Sequence, residues 1–129
     1  MARIKDLKAQ VPDDFALLSG EDGMNVELME AGCVGVISVT ANVVPAALAA
    51  ICEAALAGDF AKARELDASL AALHEALFVE PNPIPVKWAL AAMDRMEGGI
   101  RLPLTPLSAE AQGPLRAALR ELKLLGGGA

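Results

Sequence analysis

The sequence is poor in aromatic residues and in clustered positive charge. Tyrosine is absent, tryptophan occurs once, and aromatic residues make up 3% of the 129 positions. The formal net charge is -6, and the eleven lysines and arginines are scattered along the chain. Because nucleic acids and anionic membranes are bound through clustered cations, this distribution predicts neither partner. Since 54% of the residues are hydrophobic and few are aromatic, the core is expected to be aliphatic.

Long apolar runs and clustered metal ligands are also missing. No run approaches the roughly 20 residues of a membrane span, and the amino-terminal residues lack the apolar stretch of a signal peptide. We therefore expect a soluble, cytoplasmic protein. Cys33 and Cys52 have no CxxC spacing and are expected to be small buried hydrophobes. His74 is the only histidine and is expected to be structural or solvent-facing, so no metal and no cofactor are predicted.

Two apolar segments alternate with helical patterns in the first half of the chain. Phe15–Ser19 is followed by a polar loop, and CVGVISV at 33–39 runs into Thr40-Ala41-Asn42. Both patterns are typical of buried parallel strands that end in a loop. The order of strand, helix, strand and helix over about residues 15–57 predicts an α/β fold with parallel strands.

The rest of the chain carries only helical patterns. Asp59 and Ser108 are candidate N-caps, although Gly113-Pro114 leaves open a start of the last helix at Pro114. The predicted helices are Ala2–Gln10, Asn25–Ala31, Pro45–Ala57, one from Phe60 to Leu77, one from Pro85 to Met96 and the last one after Ser108.

Candidate nucleophiles and acid-base groups are few. A lysine that forms a Schiff base needs burial or a cationic neighbour, which Lys5, Lys8, Lys62 and Lys123 lack among their polar neighbours. Lys87, between Val86 and Trp88, is expected to lie along an apolar face. The acidic pairs Asp13-Asp14 and Glu21-Asp22 are typical of solvated turns or helix caps rather than of a catalytic couple.

Three separated segments resemble dihydrodipicolinate synthases. They are SGEDGMNVELMEAGCVGVISVTANV at 19–43, LFVEPNPIPVKWAL at 77–90 and RLPLTPL at 101–107, in the order of that family's carboxy-terminal part. The resemblance implies a carboxy-terminal fragment of a TIM barrel, its last two βα units, followed by a helical extension. Phe15–Ser19 and Val34–Val39 would be the seventh and eighth strands. The implied division is 1–58 for the partial barrel, 59–125 for the helical extension and 126–129 for a flexible tail.

The resemblance also implies a binding site. The family forms a Schiff base between a lysine and pyruvate and condenses it with aspartate semialdehyde, on the way to lysine and diaminopimelate. Ile37 matches the position whose main-chain carbonyl lies against pyruvate, and Gly20 matches a glycine that lines the same pocket. Both follow the rule that barrel sites lie at the carboxyl ends of strands. The family pattern SGDD reads SGED here, with Glu21 at the third position.

The covalent machinery of the family matches no position in this chain. The Schiff-base lysine, the proton-relaying tyrosine and the GTTGE segment all precede the matched region, so we expect no catalytic residue and no activity of the chain alone. The family's tetramer suggests a homo-oligomer. Two alternatives remain: a non-catalytic helical module that self-associates through open strand edges, or one part of a split enzyme that an amino-terminal barrel portion completes.

Overall fold

The structure, a computed structural model, describes residues 2–125. The predicted tail at 126–129 lies outside the described residues. None of the described helices is long and apolar enough to cross a membrane. In chain order the helices are α1 (Ala2–Gln10), α2 (Asn25–Glu30), α3 (Pro45–Leu56), α4 (Phe60–Ala68), α5 (Ala71–Ala76), α6 (Ile84–Ala92) and α7 (Ala109–Glu121), with 3₁₀ turns at Asp22–Met24 and Thr40–Asn42.

The chain divides into two compact units, with the boundary between Leu70 and Ala71. Helices α1 to α4 belong to the first unit and α5 to α7 to the second. Helix α4 packs against α3 and α2. The division implied by the family resemblance, between residues 58 and 59, places α4 in the helical extension and remains a prediction.

The two predicted strands pair in parallel, but only over a short length. Ser19 and Val36 form an isolated parallel bridge. On either side of it the Ser19 N–H donates to the Gly35 carbonyl at 2.8 Å, and the Ile37 N–H donates to the Ser19 carbonyl at 2.8 Å. The predicted order and direction of the segments are therefore present, whereas residues 2–125 contain no longer strand.

The apolar side chains of these two segments are largely exposed. The exposed fractions are 56% for Phe15, 50% for Leu18, 46% for Val34 and 70% for Ile37. The pattern predicted burial, because parallel strands are ordinarily covered on both faces. That prediction is wrong for these four side chains, since no further strand among residues 2–125 lies beside them.

Local signals set several helix ends. The Asp59 side chain accepts a hydrogen bond from the Lys62 N–H at 3.0 Å, and the Ser108 hydroxyl accepts one from the Ala111 N–H at 3.3 Å. Both predicted N-caps are thus confirmed. The alternative start of the last helix at Pro114 is wrong, because the Ser108 cap begins α7 upstream of this proline and Pro114 lies inside the helix.

The helix predicted from Phe60 to Leu77 is interrupted. Helix α4 ends at Ala68, and the Ser69 hydroxyl donates to the Leu66 carbonyl at 2.6 Å. The Leu70 N–H donates to the Asp67 carbonyl at 2.9 Å, which is a tighter turn than an α-helix makes. Serine commonly competes for main-chain groups in this way, and the apolar periodicity gave no sign of the break.

Candidate functional site

The candidate site lies where the two paired segments end. Gly20 follows Ser19 directly, and the hydrogen bond from the Ile37 N–H to the Ser19 carbonyl brings Ile37 beside it. Gly20 and Ile37 are both exposed. The two residues that the sequence assigned to one pocket therefore lie together, at the carboxyl end of the parallel pair. Whether they contact a ligand remains a prediction.

Ile37 is 70% exposed at this end of the pair. The turn opposite is closed by Ser19, which is 2% exposed and whose hydroxyl accepts from the Glu21 N–H at 3.1 Å. The same hydroxyl donates to the Glu21 carbonyl at 3.2 Å, so the backbone around Gly20 is held from both sides.

A buried carboxylate joins the loops that follow the two segments. Asp22, in the first 3₁₀ turn, is 2% exposed. Its Oδ1 accepts a hydrogen bond from the Ser38 hydroxyl. Its Oδ2 accepts from the Val39 N–H at 2.9 Å and from the Thr40 N–H at 3.1 Å. The expectation was a solvated turn or a helix cap: Glu21 is exposed, whereas Asp22 is buried and binds the main-chain groups at the start of the Thr40–Asn42 turn.

These three donors explain why a carboxylate can be buried here. An ionised side chain loses its hydration on burial, and that cost is offset only where hydrogen-bond donors replace water. Hydrogen bonds to charged groups each contribute about 1.5–3 kcal/mol. Two of the donors are main-chain groups at the start of the Thr40–Asn42 turn, so Asp22 caps this turn from the other loop. In the sequence, the only sign of this contact is the polar pair Ser38 and Thr40 after an apolar run. That pattern does not reveal that their partner is Asp22 in the preceding loop.

None of the lysines lies on the two segments that form the site. Lys5, Lys8, Lys62 and Lys123 are exposed. Lys87 is half-buried and, with the Trp88 ring and Leu107, lines an apolar cavity of about 120 Å³ in the second unit. The prediction that Lys87 lies along an apolar face is therefore confirmed.

The remaining candidates are packed inside the units. His74 is 5% exposed, which favours a structural role over a solvent-facing one. Cys33 is 3% exposed, and burial raises the pKa of its thiol while the positive charge of Lys8 partly opposes this. A thiol held protonated in this way is a poor nucleophile. Cys52 is half-buried, and its sulfur accepts a hydrogen bond from the Asn25 side-chain amide at 3.8 Å.

Metal chemistry has no visible basis in the described range. No group of three or more histidine, cysteine, aspartate or glutamate side chains among residues 2–125 could hold a metal ion. What the site offers instead is one main-chain carbonyl, a glycine beside it and a rigid turn behind both. Such an end of a parallel sheet can position a small polar molecule, and its two segments carry no lysine.

Known structures place this arrangement in a class of enzymes. The chain is similar to the crystal structure of dihydrodipicolinate synthase from Aquifex aeolicus, with a TM-score of 0.94 and 39% identity over 98% of this chain and 43% of that one. It is also similar to the chloride-inhibited synthase from Acinetobacter baumannii complexed with pyruvate, with a TM-score of 0.91 and 45% identity over 96% and 43%. The class is therefore that of the TIM-barrel synthases, of which this chain matches a part.

The chain belongs to the dihydrodipicolinate synthetase family, whose model matches residues 1–122. A curated relative, the 4-hydroxy-tetrahydrodipicolinate synthase of Teredinibacter turnerae, is 56% identical over 119 residues, which are 92% of this chain and 41% of the relative. The chain thus spans about two fifths of the length of the curated relatives it matches and corresponds to a fragment of such a synthase.

Replacing Gly20 and Gly32 should show which of these two glycines the fold requires. A Cβ at Gly20 would meet no atom within 4 Å, so Gly20→Ala should change the free energy of unfolding by less than about 0.5 kcal/mol. Gly32 has a φ of +113°, and a Cβ there would lie 2.7 Å from Lys8 Cδ, so Gly32→Ala should lose about 1 kcal/mol or more. Urea unfolding followed by circular dichroism measures both. An equal loss of unfolding free energy in the two variants would mean that the fold itself requires a glycine at position 20, and would contradict this prediction.

Proposed function

We propose that this chain supplies one wall of the pyruvate pocket of a cytoplasmic dihydrodipicolinate synthase. The observation that carries the proposal is the placement of Ile37 beside Gly20, at the carboxyl end of the parallel pair, with both residues exposed. Barrel enzymes bind substrates at this end of their strands. The pyruvate in the Acinetobacter baumannii complex makes pyruvate the natural ligand to test.

In the complete enzyme the wall would orient pyruvate and would not react with it. A lysine from the rest of the protein attacks the pyruvate ketone, water leaves, and the resulting Schiff base carries a positive charge when protonated. The partial negative charge of the Ile37 carbonyl, fixed at the pocket, would favour that charged species. Gly20 leaves room for the substrate, because no atom lies where its side chain would project. The Schiff base then condenses with aspartate semialdehyde.

The placement of the lysines supports the proposal that this part of the pocket does not carry the Schiff-base lysine. A lysine reacts as an amine near neutral pH when burial or a cationic neighbour lowers its pKa. Four of the five lysines are exposed. Lys87 lies in the second unit and lines a cavity whose lining includes neither Gly20 nor Ile37. We therefore infer that the 129 residues alone are not an active synthase.

Incubation with pyruvate and borohydride tests this inference directly. Borohydride reduces any Schiff base to a stable secondary amine, so a reactive lysine would add the mass of a reduced pyruvyl group. We expect no added mass on the 129-residue chain, whereas the Teredinibacter turnerae synthase, treated in parallel, should be labelled. A stable adduct on any of the five lysines, located by peptide mass spectrometry, would overturn the proposal that the chain lacks the nucleophile.

A second candidate function rests on the exposed apolar side chains. Phe15, Leu18, Val34 and Ile37 lie on the paired segments and are each between 46% and 70% exposed. Apolar strands with open edges readily pair with another chain. In a complete synthase the other βα units would cover these side chains. In the isolated chain, the exposed paired segments would make it a self-associating module, and in a split enzyme they would receive an amino-terminal barrel portion.

Self-association of the isolated chain should depend on Leu18 and not on an exposed leucine elsewhere. Leu18→Ser removes an apolar side chain from the paired segments, so it should shift the monomer-oligomer equilibrium toward monomer by about tenfold. Leu102→Ser is the matched control, because Leu102 is 82% exposed and lies in the second unit. Sedimentation equilibrium at several concentrations measures the effect. A clean monomer of the unsubstituted chain, with protected amides at Ser19 and Ile37, would exclude the self-associating module.

A further inference from the structure

The peptide bond that carries the Ile37 carbonyl is held on both sides by the same short segment, residues 19–22. Before it, the Ile37 N–H donates to the Ser19 carbonyl at 2.8 Å. After it, the Ser38 hydroxyl and the Val39 N–H both donate to the Asp22 carboxylate, the second at 2.9 Å. The direction of the Ile37 carbonyl is therefore determined by two anchors, one main-chain and one charged.

The Asp22 anchor is the less replaceable of the two. The parallel bridge at Ser19 and Val36 is isolated, so the pairing of the segments does not extend toward Ser38. The Thr40–Asn42 turn begins three residues after Ile37, and the Thr40 N–H at its start donates to the Asp22 carboxylate. Ser38 is also held locally, because its hydroxyl accepts from the Ala41 N–H at 2.8 Å. Without the carboxylate, this small loop would keep its own turn but lose its attachment to residues 19–22.

We propose that Asp22 is the positioning residue of the site: its buried carboxylate fixes the loop after Ile37 and thereby aims the Ile37 carbonyl into the pocket. The inference deepens the proposed function and rests on it, because it concerns the carbonyl that would face pyruvate. Asp22 itself need not touch the substrate. Its carboxylate oxygens are already engaged by three donors, and only 2% of the residue is exposed.

A narrower role makes a different prediction. If Asp22 only caps the Thr40–Asn42 turn, then its removal should disturb Val39 and Thr40 and leave Ile37 unchanged. If Asp22 only contributes to general stability, then its removal should disturb Ile37 and the helices of the first unit to the same extent. A positioning role predicts a change that reaches Ile37 and stops before α3.

The test is amide hydrogen exchange and carbonyl chemical shifts, measured by NMR on the labelled 129-residue chain. In Asp22→Ala, the Ile37 amide should exchange about tenfold faster or more, and the Ile37 carbonyl shift should move. Asp22→Asn should restore part of the protection, because an amide oxygen can still accept from the Val39 and Thr40 N–H groups. Glu21→Ala is the matched control, since Glu21 is the exposed neighbouring acid, and it should leave Ile37 unchanged.

Unchanged Ile37 signals in Asp22→Ala would overturn the proposal, as would equal acceleration at Ile37 and at Ile51 in α3. Should Asp22→Ala fail to fold, Ser38→Ala takes its place, because it removes one donor to the carboxylate. Changes in exchange and chemical shift confined to residues 37–40 would support the proposal. No change at Ile37 would overturn it. The measurement contains no pyruvate. A failure of the pocket hypothesis, seen as pyruvate bound away from Ile37 in a complete enzyme, is therefore distinguishable from a failure of the Asp22 proposal.

Discussion

The contact between the Asp22 carboxylate and the loop after Ile37 is the interaction on which the site depends. Parallel pairing in the first unit amounts to one bridge, and a pair of this length is not stable by itself. Asp22 adds three hydrogen bonds to a buried charge directly beyond that bridge. The packing of α4 on α3 and α2 stabilises the same unit, and α3 and α2 also contact the Thr40–Asn42 and Asp22–Met24 turns.

This attachment gives the site its chemical character. Ile37 is exposed at the end of its segment, and the two residues that follow it, Ser38 and Val39, are bound to Asp22. The exposed Phe15, Leu18 and Val34 lie on the same two segments. Polar and apolar groups at this end are thus both left available, as expected for a part of a barrel whose matched relatives are more than twice as long.

Local patterns predicted much of the fold from sequence alone. The caps at Asp59 and Ser108 and the parallel order of the segments depend on neighbouring residues or on strand direction, whereas the meeting of Gly20 with Ile37 was implied by the resemblance to the family. The burial of Phe15 and Leu18 was predicted wrongly, because burial depends on what else covers a strand. The role of Asp22 was missed for a related reason: its partners are Ser38, Val39 and Thr40, and no local pattern records a hydrogen bond between separate loops.

The most direct measurement of the central claim is a crystal structure of a fused enzyme with trapped pyruvate. The fusion joins residues 1–125 to the portion of the Teredinibacter turnerae synthase that this chain does not match. Our account predicts a reduced pyruvyl group on a lysine of the added portion, with the Ile37 carbonyl oxygen within about 3.5 Å of it and Gly20 lining the same space. A pyruvyl group with Ile37 turned away from it, in a fusion that folds and reacts, would contradict the account.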